Sequence, residues 1–340
     1  MPSLQINHQS SNKAKFETIE ILRGLAALVV ALFHLTDYGK DRYLEAIPLS
    51  LGLIPKYGWV AIAVFFVISG FVIPYSLWRK NFQLKSDWYS SLTKRIIRIY
   101  PAYLATILLV IGLFLVALVT SKFQVNDPSI TPLNIFLHLF FLNDLIPTAP
   151  AMSPVFWTLA IDLQYYLLII CLFPLINSSK LLYQLIVLAI AYGLPFLITD
   201  KSLVFSWLLL FNLGTIGFQF VSQKINLTQY ILTTAITCLI LYFDKGLLYM
   251  SVGFVSAVLI VFVRSPKISF FTFLGAVSYS LYLVHCTIGF RVINIISRFG
   301  QGEPIKIMGV AIALIVSAIV AYLMYKYIEI PTQKYFTSLR

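Results

Sequence analysis

Charge is scarce in this chain of 340 residues: Asp, Glu, Lys and Arg together make up 11% of it, against roughly 25% in an ordinary soluble domain. With an apolar fraction of 59%, that scarcity excludes a soluble globular domain, whose core has no room for so much apolar side chain. Cysteine is also rare. Cys171, Cys238 and Cys286 lie in apolar segments without CxxC spacing, which excludes a disulfide framework. There is no GxSxG elbow, no HExxH, no cysteine and histidine pair at metal spacing and no phosphate-cradling glycine loop. Serine-hydrolase, zinc-peptidase and nucleotide-loop chemistries therefore lack their signatures, and no metal is expected. Internal repeats and low-complexity tracts are missing as well.

What the chain does contain is one apolar run after another. Several go without a charge for about 18 residues or longer, enough helix to cross about 30 Å of hydrocarbon. The expected fold class is all-α, a polytopic membrane protein of about ten transmembrane helices. The candidate spans are 19–38, 59–78, 101–120, 155–176, 181–198, 203–221, 228–243, 246–263, 270–296 and 307–328. Residues 1–18 form an N-terminal tail, 19–330 the membrane domain and 331–340 a C-terminal tail. The first run contains Arg23 and no small-residue cleavage site, so it reads as a retained span and not a signal peptide.

Lys and Arg exceed Asp and Glu by twelve. The charges sit between apolar blocks, so they report membrane orientation, and no nucleic-acid partner is expected. The cluster over 79–98, with Arg79, Lys80, Lys85, Lys94, Arg95 and Arg98 against Asp87 alone, predicts a cytoplasmic loop. An even number of spans then brings both termini to the cytoplasm. Two long external segments are expected, 39–58 and 121–154, and the apolar patch Ile135 to Leu142 in the second is too short to span. It reads as interfacial or re-entrant.

Ionisable side chains within a span cost about 2.5–3.5 kcal/mol each on insertion scales, so each needs a reason. Four stand out: Arg23, His34, Asp162 and His285. Arg23 and His34 share a face of one helix, about 16 Å apart along its axis. Taken alone, Arg23 also fits a snorkelling residue at a helix end, and His34 a hydrogen-bonded packing residue. Asp162 must find a partner or stay protonated, and a histidine or arginine elsewhere in the bundle is the natural choice.

Several ordered motifs resemble the membrane acyltransferase family 3, a group of integral-membrane O-acyltransferases. They are Arg23-Gly24-Leu25-Ala26-Ala27 followed by His34, Val64-Phe65-Phe66-Val67-Ile68-Ser69-Gly70-Phe71, Arg95-Ile96-Ile97-Arg98-Ile99-Tyr100-Pro101, Ser278-Tyr279-Ser280-Leu281-Tyr282-Leu283-Val284-His285, and Glu329-Ile330-Pro331. The resemblance runs from about residue 16 to 335. Two positions depart from the family pattern: Thr158 replaces a serine, and Asp162 a glutamate.

The resemblance implies a transferase that moves an acyl group, most often acetyl, from acyl-CoA to a hydroxyl of a glycan or lipid-linked saccharide at the cell membrane. Acyl transfer to a hydroxyl needs a base, and neutral imidazole is well matched near pH 7. The candidate catalytic residues are His34 as that base, oriented by a carboxylate or a tyrosine, Arg23 supporting the acyl channel from the cytoplasmic side, His285 positioning base or acceptor, and Asp162 as the carboxylate within a span. Arg95 and Arg98, three apart on a helix, fit the donor's phosphates; they fit topology enforcement too. Trp157, Ser69, Tyr279 and Tyr282 are the candidate substrate-binding residues. Membrane lipids and a second copy of the chain are further candidate partners. The competing class is a transporter or flippase of a saccharide or lipid-linked substrate, but the inverted halves common there are not visible.

Overall fold

Nothing between Ser3 and Thr18 breaks a helix, because the segment holds neither proline nor glycine. The first helix, α1, accordingly runs Ser3–Thr36, and the expected tail and first span form one rod. The computed structural model describes residues 3–37, 56–120, 127–146 and 148–338, with side chains from 16 to 335. Among the described residues there are helices and turns but no strand. The expected external segment 39–58 falls almost wholly outside them, as do 121–126 and Pro147 of the other.

After α1 come α2 (Ile62–Arg79), α3 (Leu84–Thr120), the short α4 (Pro132–Leu139), α5 (Trp157–Ile176), α6 (Leu181–Leu197) and α7 (Leu208–Val221). The remainder are α8 (Leu227–Lys245), α9 (Leu247–Phe262), α10 (Ser269–Ile296), α11 (Glu303–Met324) and α12 (Ile330–Ser338), with a π turn, Tyr325–Glu329, before α12. Eight segments among the described residues are long and apolar enough to cross a membrane: Phe16–Thr36, Gly58–Arg79, Leu84–Thr120, Trp157–Ile176, Val204–Val221, Leu227–Lys245, Ser269–Phe299 and Glu303–Tyr335. The other two expected spans are the apolar helices α6 and α9, with 17 and 16 residues. At 1.5 Å per residue they reach about 25 Å, short of the roughly 30 Å of a hydrocarbon core.

The basic segment 79–98, expected as a loop, is mostly helix. The α3 helix begins at Leu84 and carries Pro101 in its interior. Its first turn is held by Asp87, whose carboxylate accepts from the Gln83 backbone N–H at 2.8 Å. Of the patch Ile135–Leu142, residues 135–139 lie in a helix, α4, too short to span. Thr131 caps it by accepting from Asn134 N–H at 3.2 Å, with proline at the first position.

The chain divides into two compact units. Unit 1 comprises Met1–Ala26, Val60–Leu92 and Ile161–Ala276; unit 2 comprises Ala27–Trp59, Thr93–Ala160 and Val277–Arg340. In unit 1, α7 packs against α2, α6, α8 and α9. The closest approach is at two glycines: a methyl on Gly70 would run into the Phe211 carbonyl, and one on Gly214 into the Val67 carbonyl. Such small residues let two backbones meet where lipid supplies no hydrophobic drive. The Thr215 hydroxyl lies 3.3 Å from the Gly70 carbonyl and 3.2 Å from that of Phe211, and the Tyr165 hydroxyl stands 2.9 Å from it. Gly246, at φ 88°, turns the chain from α8 into α9.

In unit 2, α4 is anchored through His138. Its Nδ1 donates to the Asn134 carbonyl at 2.8 Å, its Nε2 accepts from the Met152 N–H at 3.1 Å, and its own carbonyl accepts from the Tyr103 hydroxyl at 2.9 Å. Burial holds this imidazole below its ordinary pKa of 6.5, with the Asn134 carbonyl opposing.

Candidate functional site

Two intramembrane histidines meet in unit 2. The α1 residue His34 places Nδ1 3.1 Å from Nε2 of His285 on α10, although the two are 251 residues apart in sequence. Each ring also faces the carbonyl one turn earlier on its own helix: His285 Nδ1 lies 3.0 Å from the Leu281 oxygen and His34 Nδ1 3.1 Å from the Val30 oxygen. A carbonyl only accepts, so His285 carries its proton on Nδ1, and in a neutral ring Nε2 is then a lone pair. His34 Nδ1 faces two acceptors and must carry a proton as well. One lone pair is left over, on Nε2 of His34, which has no hydrogen-bond partner among the described residues and is therefore the available base of the pair. His285 is fully buried while His34 keeps part of its surface accessible.

A methyl on Gly289 would meet the Leu35 side chain, so Leu35 of α1 packs into the space that Gly289 leaves on α10. In unit 1 the same helices meet at Gly24 and Gly275, where a Gly24 methyl would lie 2.8 Å from the Gly275 nitrogen.

The other candidates on α10 are tied into unit 2. Thr158 gives its hydroxyl proton to the Val155 carbonyl at 3.0 Å, so the Tyr282 hydroxyl, 2.8 Å away, donates to Thr158. The Tyr279 hydroxyl donates to the Ile99 carbonyl at 2.7 Å, one residue beyond Arg98. Both tyrosine protons are thus committed to the protein. Ser280 donates to the buried carboxylate of Glu329 in the π turn. On α3, Arg95 is half-buried and Arg98 exposed; Trp157, half-buried, opens α5.

Arg23, Asp162 and Ser69 belong to unit 1. Arg23 forms an ion pair with Glu20, one turn earlier, at 3.1 Å. Asp162 is half-buried on α5, and Ser69 half-buried on α2 beside the packing residue Gly70. The structure therefore brings His34 and His285 into contact, with Tyr282 beside them at 6.0 Å between ring centroids.

Sequence reasoning passed over Glu20, Thr158, His138 and the Ser280–Glu329 pair as site residues. Glu20 was detectable as an acid one turn from an intramembrane arginine. Glu329 was detectable as a carboxylate at the end of the last apolar run, and Thr158 as a departure from the family pattern. His138 lies outside any expected span and left no such signal.

Helices without strands among the described residues, several of them of membrane length, and a contacting histidine pair with one imidazole nitrogen available as a base make the chain a candidate intramembrane transferase. Comparison with known proteins gives the class: the profile of the family 3 Acyltransferase domain matches residues 16–326, and the chain belongs to that family. It is a multi-pass membrane protein and an acyltransferase. A protein of Acidianus two-tailed virus with the provisional name acetyltransferase ORF330 is 30% identical to it over 311 residues, which is 83% of this chain and 86% of the viral one. No solved structure matches the chain.

Proposed function

We propose that the protein transfers an acyl group, acetyl in the first instance, from acyl-CoA to a hydroxyl of a glycan or lipid-linked saccharide at the cell membrane. The observation that carries the reading is the 3.1 Å contact between His34 Nδ1 and His285 Nε2, from which the tautomers above follow. As the acceptor oxygen attacks the thioester carbonyl, Nε2 of His34 takes the hydroxyl proton. The C–S bond then breaks, and the departing CoA sulfur receives that proton from His34. While His34 is an imidazolium, its Nδ1–H stays on the His285 lone pair, which holds the ring's orientation and spreads its charge. Oriented general bases contribute about 10²–10⁴-fold to rate.

In this reading Arg95 and Arg98 bind the donor's phosphates from the cytoplasm, and Tyr279 holds their helix to α10. Arg23, set by Glu20, supports the acyl channel from the cytoplasmic end, and Asp162 is its supporting carboxylate. Trp157, in the same unit as the histidines, shapes the pocket. Where the bilayer thins around the shorter apolar helices α6 and α9, these bring the spans to ten, with both termini cytoplasmic. The name of the viral relative supports acetyl as the first acyl group to try.

The test is transfer of radiolabel from acetyl-CoA by purified protein in bilayers containing extracted membrane saccharides. Labelled saccharide is expected, and replacement of Arg95 and Arg98 by glutamine should raise the donor KM more than it changes acceptor KM. Unchanged donor KM in that variant would leave the arginines with topology alone, and absence of any acyl transfer would overturn the proposal.

A further inference from the structure

Cys286 has no part in the proton arrangement above, yet it lies at the histidine pair. Its sulfur and one nitrogen from each of His34 and His285 lie within 4.8 Å of one another. Cys286 is buried and its thiol is free. We propose that these three side chains bind one zinc-class ion, a borderline-soft divalent cation, and that the ion turns the base off.

Tetrahedral zinc with nitrogen at about 2.0–2.1 Å and sulfur at about 2.3 Å sets nitrogens about 3.4 Å apart and nitrogen to sulfur about 3.6 Å. The facing nitrogens of His34 and His285 already stand at 3.1 Å. Measured against the 4.8 Å limit of the cluster, the sulfur needs to close by only about 1 Å, within reach of a χ1 adjustment. His285 is prepared as a ligand: Nε2 is a lone pair, and Nδ1 donates to the Leu281 carbonyl, the backbone hydrogen bond that orients ligating histidines elsewhere. The chemistry of the set, two imidazoles and a thiol, selects zinc over magnesium or calcium.

The proton balance makes the ion an inhibitor and not a cofactor. Cys286 binds as thiolate and releases one proton, so the site carries one net positive charge in place of two. His34 ligates through Nδ1 only as its other tautomer, with the proton moved to Nε2. The atom that would accept the acceptor's proton is then occupied. The ion site rests on the cluster geometry, and only its inhibitory consequence rests on the proposed acyl transfer. Sequence spacing hides such a site, because its ligands come from two helices 251 residues apart.

The experiment uses the full chain with Cys171 and Cys238 replaced by serine, stripped with chelator and loaded with zinc chloride, and reads the zinc X-ray absorption edge. One retained zinc is expected, with one sulfur at about 2.3 Å and imidazole nitrogens at about 2.0 Å. Adding Cys286→Ser should remove the sulfur and weaken zinc retention at least tenfold, while acetyl transfer in chelator stays unchanged. Zinc should inhibit acetyl transfer by the parent and do so at least tenfold less effectively in that variant. A shell without sulfur, or zinc retention indifferent to Cys286→Ser, overturns the site. Should Cys286→Ser fail to fold, the parent spectrum decides alone. A sulfur shell together with undiminished transfer keeps the site and overturns its effect on the base; absence of transfer in chelator as well counts against the acyl-transfer reading alone.

Discussion

The two units of this protein use the same helices for different ends. Unit 1 meets backbone to backbone: Gly70 lies on Phe211, Gly214 on Val67 and Gly24 on Gly275, with stacked Tyr165 and Phe211 rings 3.9 Å apart. Unit 2 meets through polar side chains, His34 with His285, Tyr282 with Thr158, Ser280 with Glu329 and Tyr103 with His138. A protein in oil has little hydrophobic drive between helices, so contact comes from close packing or hydrogen bonds. The contrast is one of means: the closest backbone approaches lie at small residues of unit 1, and the contacts around His34 in unit 2 join polar side chains.

The largest expected effect is at the base. Replacing His34 with alanine should lower acyl transfer about 10²–10⁴-fold in a protein that still folds, at a cost of about 1–3 kcal/mol for the buried His285 nitrogen left unpaired, and His285→Ala should lose less activity because Nε2 of His34 survives. Equal activity in His34→Ala would erase the functional half of the contrast. The packing half breaks next: Gly70→Ala drives a methyl into a carbonyl that cannot step aside, and should cost about 3 kcal/mol or more. Gly112, on α3 with open space around it, is the control. There alanine should be neutral or stabilise by about 0.5–1 kcal/mol, so similar loss at both sites, read as surviving folded protein in detergent, would remove the distinction.

A smaller effect concerns His138. Its pKa is lowered by burial from 6.5, so the unfolded chain binds the extra proton first. The stability its neutral ring contributes is complete above about pH 6.5 and is lost as pH falls from there towards the lowered value. Hydrogen exchange at the Met152 amide should therefore quicken between neutral pH and pH 5 beyond the intrinsic trend, and His138→Gln should flatten that dependence.

Much of the fold was legible because apolar length is a strong signal: each of the ten expected spans coincides with a helix, eight of them long enough to cross. What escaped was helix without hydrophobicity. The leading turns of α1 and the basic start of α3 are polar, and polar segments look the same whether helical or not. Of the site, the individual histidines could be read from the cost of burying them. Their contact could not, since no local pattern links positions 34 and 285. The SGF motif teaches a related point: Ser69 drew attention as a polar group, whereas Gly70 beside it makes the contact that fixes α2 on α7.

The most direct test is nitrogen-15 NMR of histidine-labelled protein in bilayers at neutral pH, with His34→Gln and His285→Gln to assign the signals. The account predicts both rings neutral, both protonated at Nδ1, and coupling between His34 Nδ1 and His285 Nε2. A proton on Nε2 of His34 would contradict it, because the atom assigned to receive the acceptor's proton would already be filled.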